Sequence, residues 1–437
     1  MRTLIETWKR EPTLGLLAGL SALALALYPV WLSVRVYVPV LSGAQESVAD
    51  FSFYYDAAER FVAGGALYPD AYGFMYPPPS IALFAPLVTL PMPVGFMLSV
   101  VGIAVLAVAC IRLTLRLWEE ASGETLAQPV QVSLLLIGLA TAPVFQNLKY
   151  AQVNVLVLLT GLGFLVLLRS GRPFAAALVL SGGFWLKLYP IALALLGLRR
   201  DQPRAEWVRL AAGFAVGLVA VPVALLPVVP PELYRQYAFD LVPFWSGITN
   251  MDALNQSIVG VLEHVRQPVT DYLRSHDTAL APSTKLVNVL ATGGMLGGFY
   301  VAYFFGRLPR PVAGVAMLAV TPVISGLGWE HTYVLALPLY LFVLLAARHR
   351  GRLAQAFAAA SVFIFMVPKL PSPLIEWSLA AWPRPVVDVF YARFLIVTLA
   401  LLAVVAVWQW TRVPETMSAP AARATGARRG SRTGASC

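Results

Sequence analysis

The sequence predicts an all-α polytopic integral membrane protein of about 11 to 12 transmembrane or re-entrant helices, and three observations carry that prediction. Hydrophobic residues fill 59% of the 437 positions and charged residues only 12%, with a mean hydropathy of +0.72; a soluble polar surface cannot be built from that composition. Apolar runs near the ~20 residues that cross a bilayer recur along the whole chain. The basic residues fall in short clusters between these runs. Despite a formal net charge of +10, this is the positive-inside pattern and not a nucleic-acid face.

The elements follow in order from those clusters. Arg2, Lys9 and Arg10 precede an apolar run of roughly 25 residues, longer than the ~7 to 15 of a signal-peptide core, so the run reads as a retained signal anchor. Further clusters stand at Arg112 and Arg116, Arg169 and Arg172, Arg199 to Arg209, Arg307 and Arg310, Arg348 to Arg352, and from Arg412 onward. If all are cytoplasmic, an even number of spans lies between neighbours. Paired spans near 13–38 and 80–117, 129–147 and 152–169, 207–230 and 285–306, 311–328 and 330–347, and 353–369 and 386–411 satisfy this rule.

The interval 173–198, "PFAAALVLSGGFWLKLYPIALALLGL", has room for one span but carries basic clusters at both ends. Two readings stay open. One is a re-entrant pair of short helices broken around Gly182, Gly183 and Pro190, with Lys187 at the turn, which is permitted where protein or a watery cavity satisfies the freed backbone groups. The other is a single span with one cluster outside, Lys187 then snorkelling to the interface. In both, a lysine within an apolar run needs a partner or a cavity.

One transmembrane domain, 1–411, is expected, with outer loops at about 40–79 and 231–284. The basic, small-residue tail 412–437 is expected to be disordered and cytoplasmic, in contact with anionic lipid. Cys110 lies in an apolar run and Cys437 ends the chain, which argues against a disulfide framework. The polar outliers gather on the outer face: Asp50 and Asp56 in the first loop, "NLKYAQVN" at 147–154, "NMDALNQS" at 250–257 and "GWEHT" at 328–332. Ionisable residues at membrane depth point to function, and Glu330 and His331 sit in a tight turn between two apolar runs.

"DFSFYYDAAERFVAGGALYP", then "FMYPPPSIALFAPL", "AQVN", "LKLYP", "NQS" and "TPVISGLGWEHTYVLALP" occur in that order between Asp50 and Pro338. The ordered set resembles glycosyltransferase family 87, polyprenol-phosphate-mannose-dependent mannosyltransferases of the GT-C superfamily. Ala151 departs from the pattern, standing where the family usually has glycine, and the C-terminal third matches only as apolar helices. The resemblance implies a GT-C-like fold with its active site on the outer face of the cell membrane. It implies a polyprenyl-phosphate sugar as donor substrate and a lipid or glycan acceptor. The charge pattern itself argues against a nucleic-acid partner, and since the sequence has no acidic pair at bridging spacing and no His/Cys cluster, no metal or other cofactor is expected.

The resemblance also implies a catalytic base in the first outer loop, the position of Asp50, to take the proton of the attacking hydroxyl; a helix cap is the structural alternative for that residue. The departing polyprenyl phosphate needs stabilisation by cationic or donor groups, for which Lys187 and His331 are the candidates. Tyr54, Tyr55, Asp56, Gln152, Asn154, Asn255 and Glu330 are candidate sugar or acceptor contacts. Tyr54, Tyr55, Tyr68 and Tyr76 either stack on a sugar or lie in the interfacial aromatic belt. "MYPPPS" stiffens the chain before it re-enters the bilayer. Mannose transfer with inversion is the expected reaction. Arabinofuranose transfer, ligation or polymerisation of lipid-linked glycans, and transport or flipping of a lipid or sugar are the alternatives.

Overall fold

In lipid, backbone N–H and C=O groups must be satisfied within the segment that carries them, and nearly every element of this chain is helical. The computed structural model describes residues 2–45, 49–69, 73–250, 255–266, 277–367 and 381–411. The expected disordered tail, 412–437, and residues 251–254 of the second outer loop lie outside the described residues.

The chain begins with α1 (Arg2–Arg10) and α2 (Pro12–Leu41), the latter passing through a π-helical turn at Ser33–Tyr37. Then come α3 (Ala49–Val62), a short helical segment Pro78–Thr89 and α4 (Met92–Ser122). Next are α5 (Gln128–Leu139), α6 (Ala142–Tyr150), α7 (Asn154–Arg169), α8 (Pro173–Leu186) and a 3₁₀ helix, Tyr189–Gly197. The second half holds α9 (Arg204–Leu225), α10 (Pro231–Gln236), α11 (Val242–Gly247), α12 (Ile258–Arg266), α13 (Pro282–Phe304) and α14 (Arg310–Ile324). It ends with α15 (Glu330–Ala347), α16 (Arg352–Met366), α17 (Arg384–Tyr391) and α18 (Arg393–Thr411).

Among the described residues, α2, α4, α9, α13 and α15 are each long and apolar enough to cross a membrane. A sixth candidate is α5 with α6, bent by 56° at their junction, where Thr141, the residue before α6, is extended (φ −75°, ψ 143°). Shorter apolar helices complete the bundle, among them α7, α8 and α14. The protein is thus an all-α, multi-pass membrane protein. One span begins later than the sequence suggested: residues 78–89 form a separate piece, and α4 starts only at Met92, after Leu90 turns extended ahead of Pro91. A two-stranded antiparallel ladder, β1 (Ile248–Asn250) with β2 (Asp277–Ala279), was not anticipated; three-residue strands are too short to show an alternating pattern.

The interval 173–198 is a re-entrant pair. α8 ends at Leu186, the next residue Lys187 has an extended backbone (φ −154°, ψ 133°), and the 3₁₀ helix turns back from Tyr189. Fourteen α-helical residues rise ~21 Å and nine 3₁₀ residues ~18 Å, so the two limbs match in length. Both ends of the pair reach the same side of the bundle. There the Tyr303 hydroxyl donates to the Leu196 carbonyl (2.9 Å) and accepts from Arg310 Nε (2.8 Å), while Arg310 Nη1 donates to the Leu168 carbonyl (3.4 Å).

The other basic clusters are joined in the same manner. Glu120 binds both Arg116 (3.0 Å) and Arg169 (2.7 Å), and Arg348 binds Glu11 (2.6 Å) and Glu124 (3.3 Å). Exposed pairs such as Arg116 with Glu120 stabilise little. Their value here is as markers that the clusters separated by paired spans share one end.

Candidate active site

At the opposite end, one length of α7 away from Leu168, the bundle holds a cavity of about 670 Å³. Short helices make room for it. α7 starts at Asn154, α8 stops at Leu186 and α14 stops at Ile324, so irregular backbone at 187–188 and 325–329 meets a cavity instead of lipid, where its polar groups are tolerated.

α3 delivers the first wall. Its apolar stripe, Phe51, Tyr54, Ala57 and Ala58, is buried, which fixes the helix and sets Asp50, in its first turn, at the cavity edge. Asp50 Oδ2 accepts a hydrogen bond from Gln152 Nε2. Burial pushes the Asp50 carboxyl above the ordinary carboxylate range, and the Gln152 hydrogen bond, Lys187 and Lys149 pull it back down. The Gln152 Oε1 accepts from Tyr54 (2.9 Å), and the Tyr54 and Tyr76 hydroxyls lie 2.5 Å apart. Ala151 adopts a left-handed conformation (φ 50°) as the helix cap of α6. A glycine there, as in the resembled family, would reach that conformation without the Cβ penalty.

Lys187 forms the second wall. Its Nζ donates to Asn154 Oδ1 (2.7 Å), which also accepts from the Tyr189 hydroxyl (3.0 Å). The ammonium lies 5.2 Å from the Tyr76 ring centroid and 5.9 Å from that of Tyr189, close enough for the ring faces to attract it. The Asn154 Nδ2 is buried and has no hydrogen-bond partner among the described residues. An unpaired buried donor costs ~1 to 3 kcal/mol, so the amide is oriented in favour of the lysine.

The third wall is the turn into α15. His331 lines the cavity, its ring edge-on to Tyr150 with centroids 6.4 Å apart, and its backbone carbonyl accepts from Asn147 Nδ2 (2.7 Å). Glu330 also reaches the cavity, but its carboxylate is committed: Arg393 Nη2 lies 2.7 Å from Oε1, and Gln146 Nε2 donates to Oε2 (3.1 Å). Asn255 does not line the cavity. It is fully buried, donating to Thr249 Oγ1 (2.9 Å) and the Gly326 carbonyl (3.1 Å) and accepting from the Gly328 N–H (2.9 Å) and Ser257 Oγ (2.9 Å). Its place is under the 325–329 loop, as a clamp.

Of the residues selected from sequence, Asp50, Tyr54, Gln152, Lys187, Glu330 and His331 come together around this space, and Asn154 supports Lys187 from behind. Tyr55 and Asp56 do not. The Tyr55 hydroxyl donates to the Leu90 carbonyl (2.8 Å) and Asp56 is exposed, because on a helix these positions turn away from the face carrying Phe51 and Tyr54. Tyr68 is buried and donates to the Tyr76 carbonyl (2.6 Å).

Sequence reasoning missed Gln146, Tyr150, Tyr189, Tyr237, Trp245 and Trp329 of the lining, together with Arg393. A signal existed for Arg393: it is an ionisable residue inside a predicted span, 386–411.

The model of glycosyltransferase family 87 matches residues 74–327, more than half of the chain. No curated protein matches the chain. The matched stretch carries Tyr76, Gln152, Asn154, Lys187 and Asn255; Asp50, Glu330, His331 and Arg393 lie outside it and are tied to the site by geometry. With its multi-pass helical fold, the chain belongs to glycosyltransferase family 87 and is a membrane glycosyltransferase.

Proposed function

We propose that the protein transfers a sugar, mannose in the first instance, from a polyprenyl-phosphate carrier to a hydroxyl of a lipid-linked or cell-envelope glycan, with inversion, on the extracytoplasmic side of the cell membrane. One observation carries the reading: a partly buried carboxylate, Asp50, and an ammonium, Lys187, face the same aromatic-lined cavity from different walls.

Asp50 takes the proton of the acceptor hydroxyl as its oxygen attacks the anomeric carbon, and the carbon–oxygen bond to phosphate breaks with the electron pair leaving on the polyprenyl phosphate. A carboxyl raised by burial is a stronger base for this step than an exposed one. The Lys187 ammonium and an N–H of the His331 imidazole stabilise the charge that develops on the phosphate. Tyr76, Tyr189 and Trp329 give ring faces of the kind sugars bind. Glu330, fixed by Arg393, holds the wall between His331 and Gln146.

Sidedness follows from the basic clusters at the far end of the bundle, which by the positive-inside tendency face the cytoplasm. The test is incubation of purified protein in detergent with radiolabelled polyprenyl-phosphate-mannose, polyprenyl-phosphate-arabinofuranose and a panel of acceptors. Label should move from the mannose donor to an acceptor. A donor recovered intact with every acceptor, or consumed only as arabinofuranose, would contradict the mannosyl reading.

A further inference from the structure

We propose that Tyr76, Tyr54 and Gln152 form a one-way hydrogen-bond chain whose task is to hold Oδ2 of Asp50 and leave Oδ1 alone free to take the acceptor proton, which makes the three of them positioning residues for the reaction. The proposal rests on the reading of Asp50 as base.

The direction of the chain follows from the donors available. An ionised carboxylate only accepts, so the Gln152 amide must turn its NH₂ toward Asp50 and its Oε1 away. That oxygen then needs a donor, and the Tyr54 hydroxyl supplies it at 2.9 Å. Having spent its one proton, the Tyr54 oxygen is left as acceptor, and the Tyr76 hydroxyl, 2.5 Å away, donates to it. Tyr76 is 3.4 Å from Gln152 Oε1, so the relayed route is the shorter one. Every proton therefore points toward Asp50, and bonds aligned in one direction polarise and strengthen one another.

The chain is largely buried along its length, with Tyr54 2%, Gln152 4% and Tyr76 8% exposed. It also spans the site: the ring of Tyr76 faces the Lys187 ammonium at 5.2 Å, so the residue that begins the chain on the base side touches the cation on the donor side. The groups facing Asp50 from the neighbouring elements are Lys187 and Lys149 as charges and the Tyr54 and Tyr76 hydroxyls as titratable neighbours. Phenylalanine in place of either tyrosine removes a hydroxyl and leaves these charges and the ring packing in place.

The test reads the carboxyl directly. Infrared difference titration of the purified full chain, with Asp50→Asn as the blank, isolates the carboxylic C=O band of Asp50. In Tyr54→Phe the midpoint of this band should rise by about half a pH unit or more, since a weakened hydrogen bond to the charged form favours the neutral one. Gln152→Leu should raise it further, and Tyr76→Phe less. Turnover with polyprenyl-phosphate-mannose should fall about 3- to 10-fold in Tyr54→Phe, with the donor KM unchanged and the acid limb displaced upward with the band. Tyr76→Phe, at the far end of the chain, gives the same reading if Tyr54→Phe does not fold. A midpoint unmoved in the folded tyrosine variants overturns the chain even where Asp50→Asn is inactive. An active Asp50→Asn with a shifted midpoint instead removes the base and leaves the chain standing.

Discussion

Asn154 Oδ1 and Lys187 Nζ, 33 residues apart in the chain, meet at 2.7 Å behind the cavity wall. The contact joins the start of α7 to the break between α8 and the 3₁₀ helix, and it converts a lysine in an apolar run into a fixed cation. If that cation serves the donor phosphate, Lys187→Ala should raise the donor KM by about 10- to 100-fold, the value of a charge-assisted hydrogen bond of ~1.5 to 3 kcal/mol, while the protein stays folded. Asn154→Leu should give a smaller change of the same kind. Steady-state kinetics over a donor series checks both, and unchanged donor kinetics in Lys187→Ala would return the lysine to a structural role.

Arg393 and Glu330 form an ion pair in which both side chains are less than a tenth exposed. Removing one partner of such a pair strands a charge, at a cost of ~3 to 5 kcal/mol. Arg393→Leu should therefore lower the unfolding temperature in detergent markedly. Adding Glu330→Gln should recover most of the loss, because the stranded charge is gone. A double variant no more stable than Arg393→Leu would show that the pair is not what Arg393 contributes.

Asn255 holds Thr249, Gly326, Ser257 and Gly328 in one buried node. Gly328 has no room for a side chain, since a Cβ would stand 2.5 Å from the Pro322 carbonyl and 2.8 Å from Ser257, so the loop has little slack. Asn255→Ala should cost ~1 to 3 kcal/mol for the partners left unsatisfied, seen as a lower thermal midpoint. An Asn255→Ala protein of normal stability with impaired sugar binding would restore the direct-contact role expected from sequence.

The pH dependence has a definite sign. Burial raises the Asp50 carboxyl above its ordinary value, and a general base works only when deprotonated. Turnover should be full above the raised value and lost as pH falls through it, so the acid limb of kcat should lie above the ordinary carboxylate range near ~4. Asp56, exposed on the far face of α3, should contribute nothing to that limb. A profile flat down to pH ~4 would contradict the assignment.

Much of this arrangement was legible in the sequence, and the reasons are physical. Parity of basic clusters located the anomaly at 173–198 because charge must leave the bilayer somewhere, and the break falls at Lys187 as the re-entrant reading required. Asp50, Gln152, Lys187 and His331 stood out as polar groups beside apolar runs. What was not legible is where side chains point within an element. Tyr54 and Tyr55 are equivalent in composition, yet one turns into the site and the other bonds Leu90. Pairings between residues far apart in the chain leave no trace either: Arg393 reaches Glu330, 63 residues earlier, only because α18 packs against the turn into α15, and Asn255 became a clamp because the 325–329 loop folds over it.

The most direct test is turnover by Asp50→Asn. Asparagine keeps the shape and can still bond Gln152, but it cannot take a proton, and loss of a general base costs ~100- to 10,000-fold. The expected result is a folded, membrane-inserted protein that binds polyprenyl-phosphate-mannose as wild type does and transfers at least about 100-fold more slowly. Retention of more than about a tenth of wild-type turnover would contradict the assignment of Asp50 as the base.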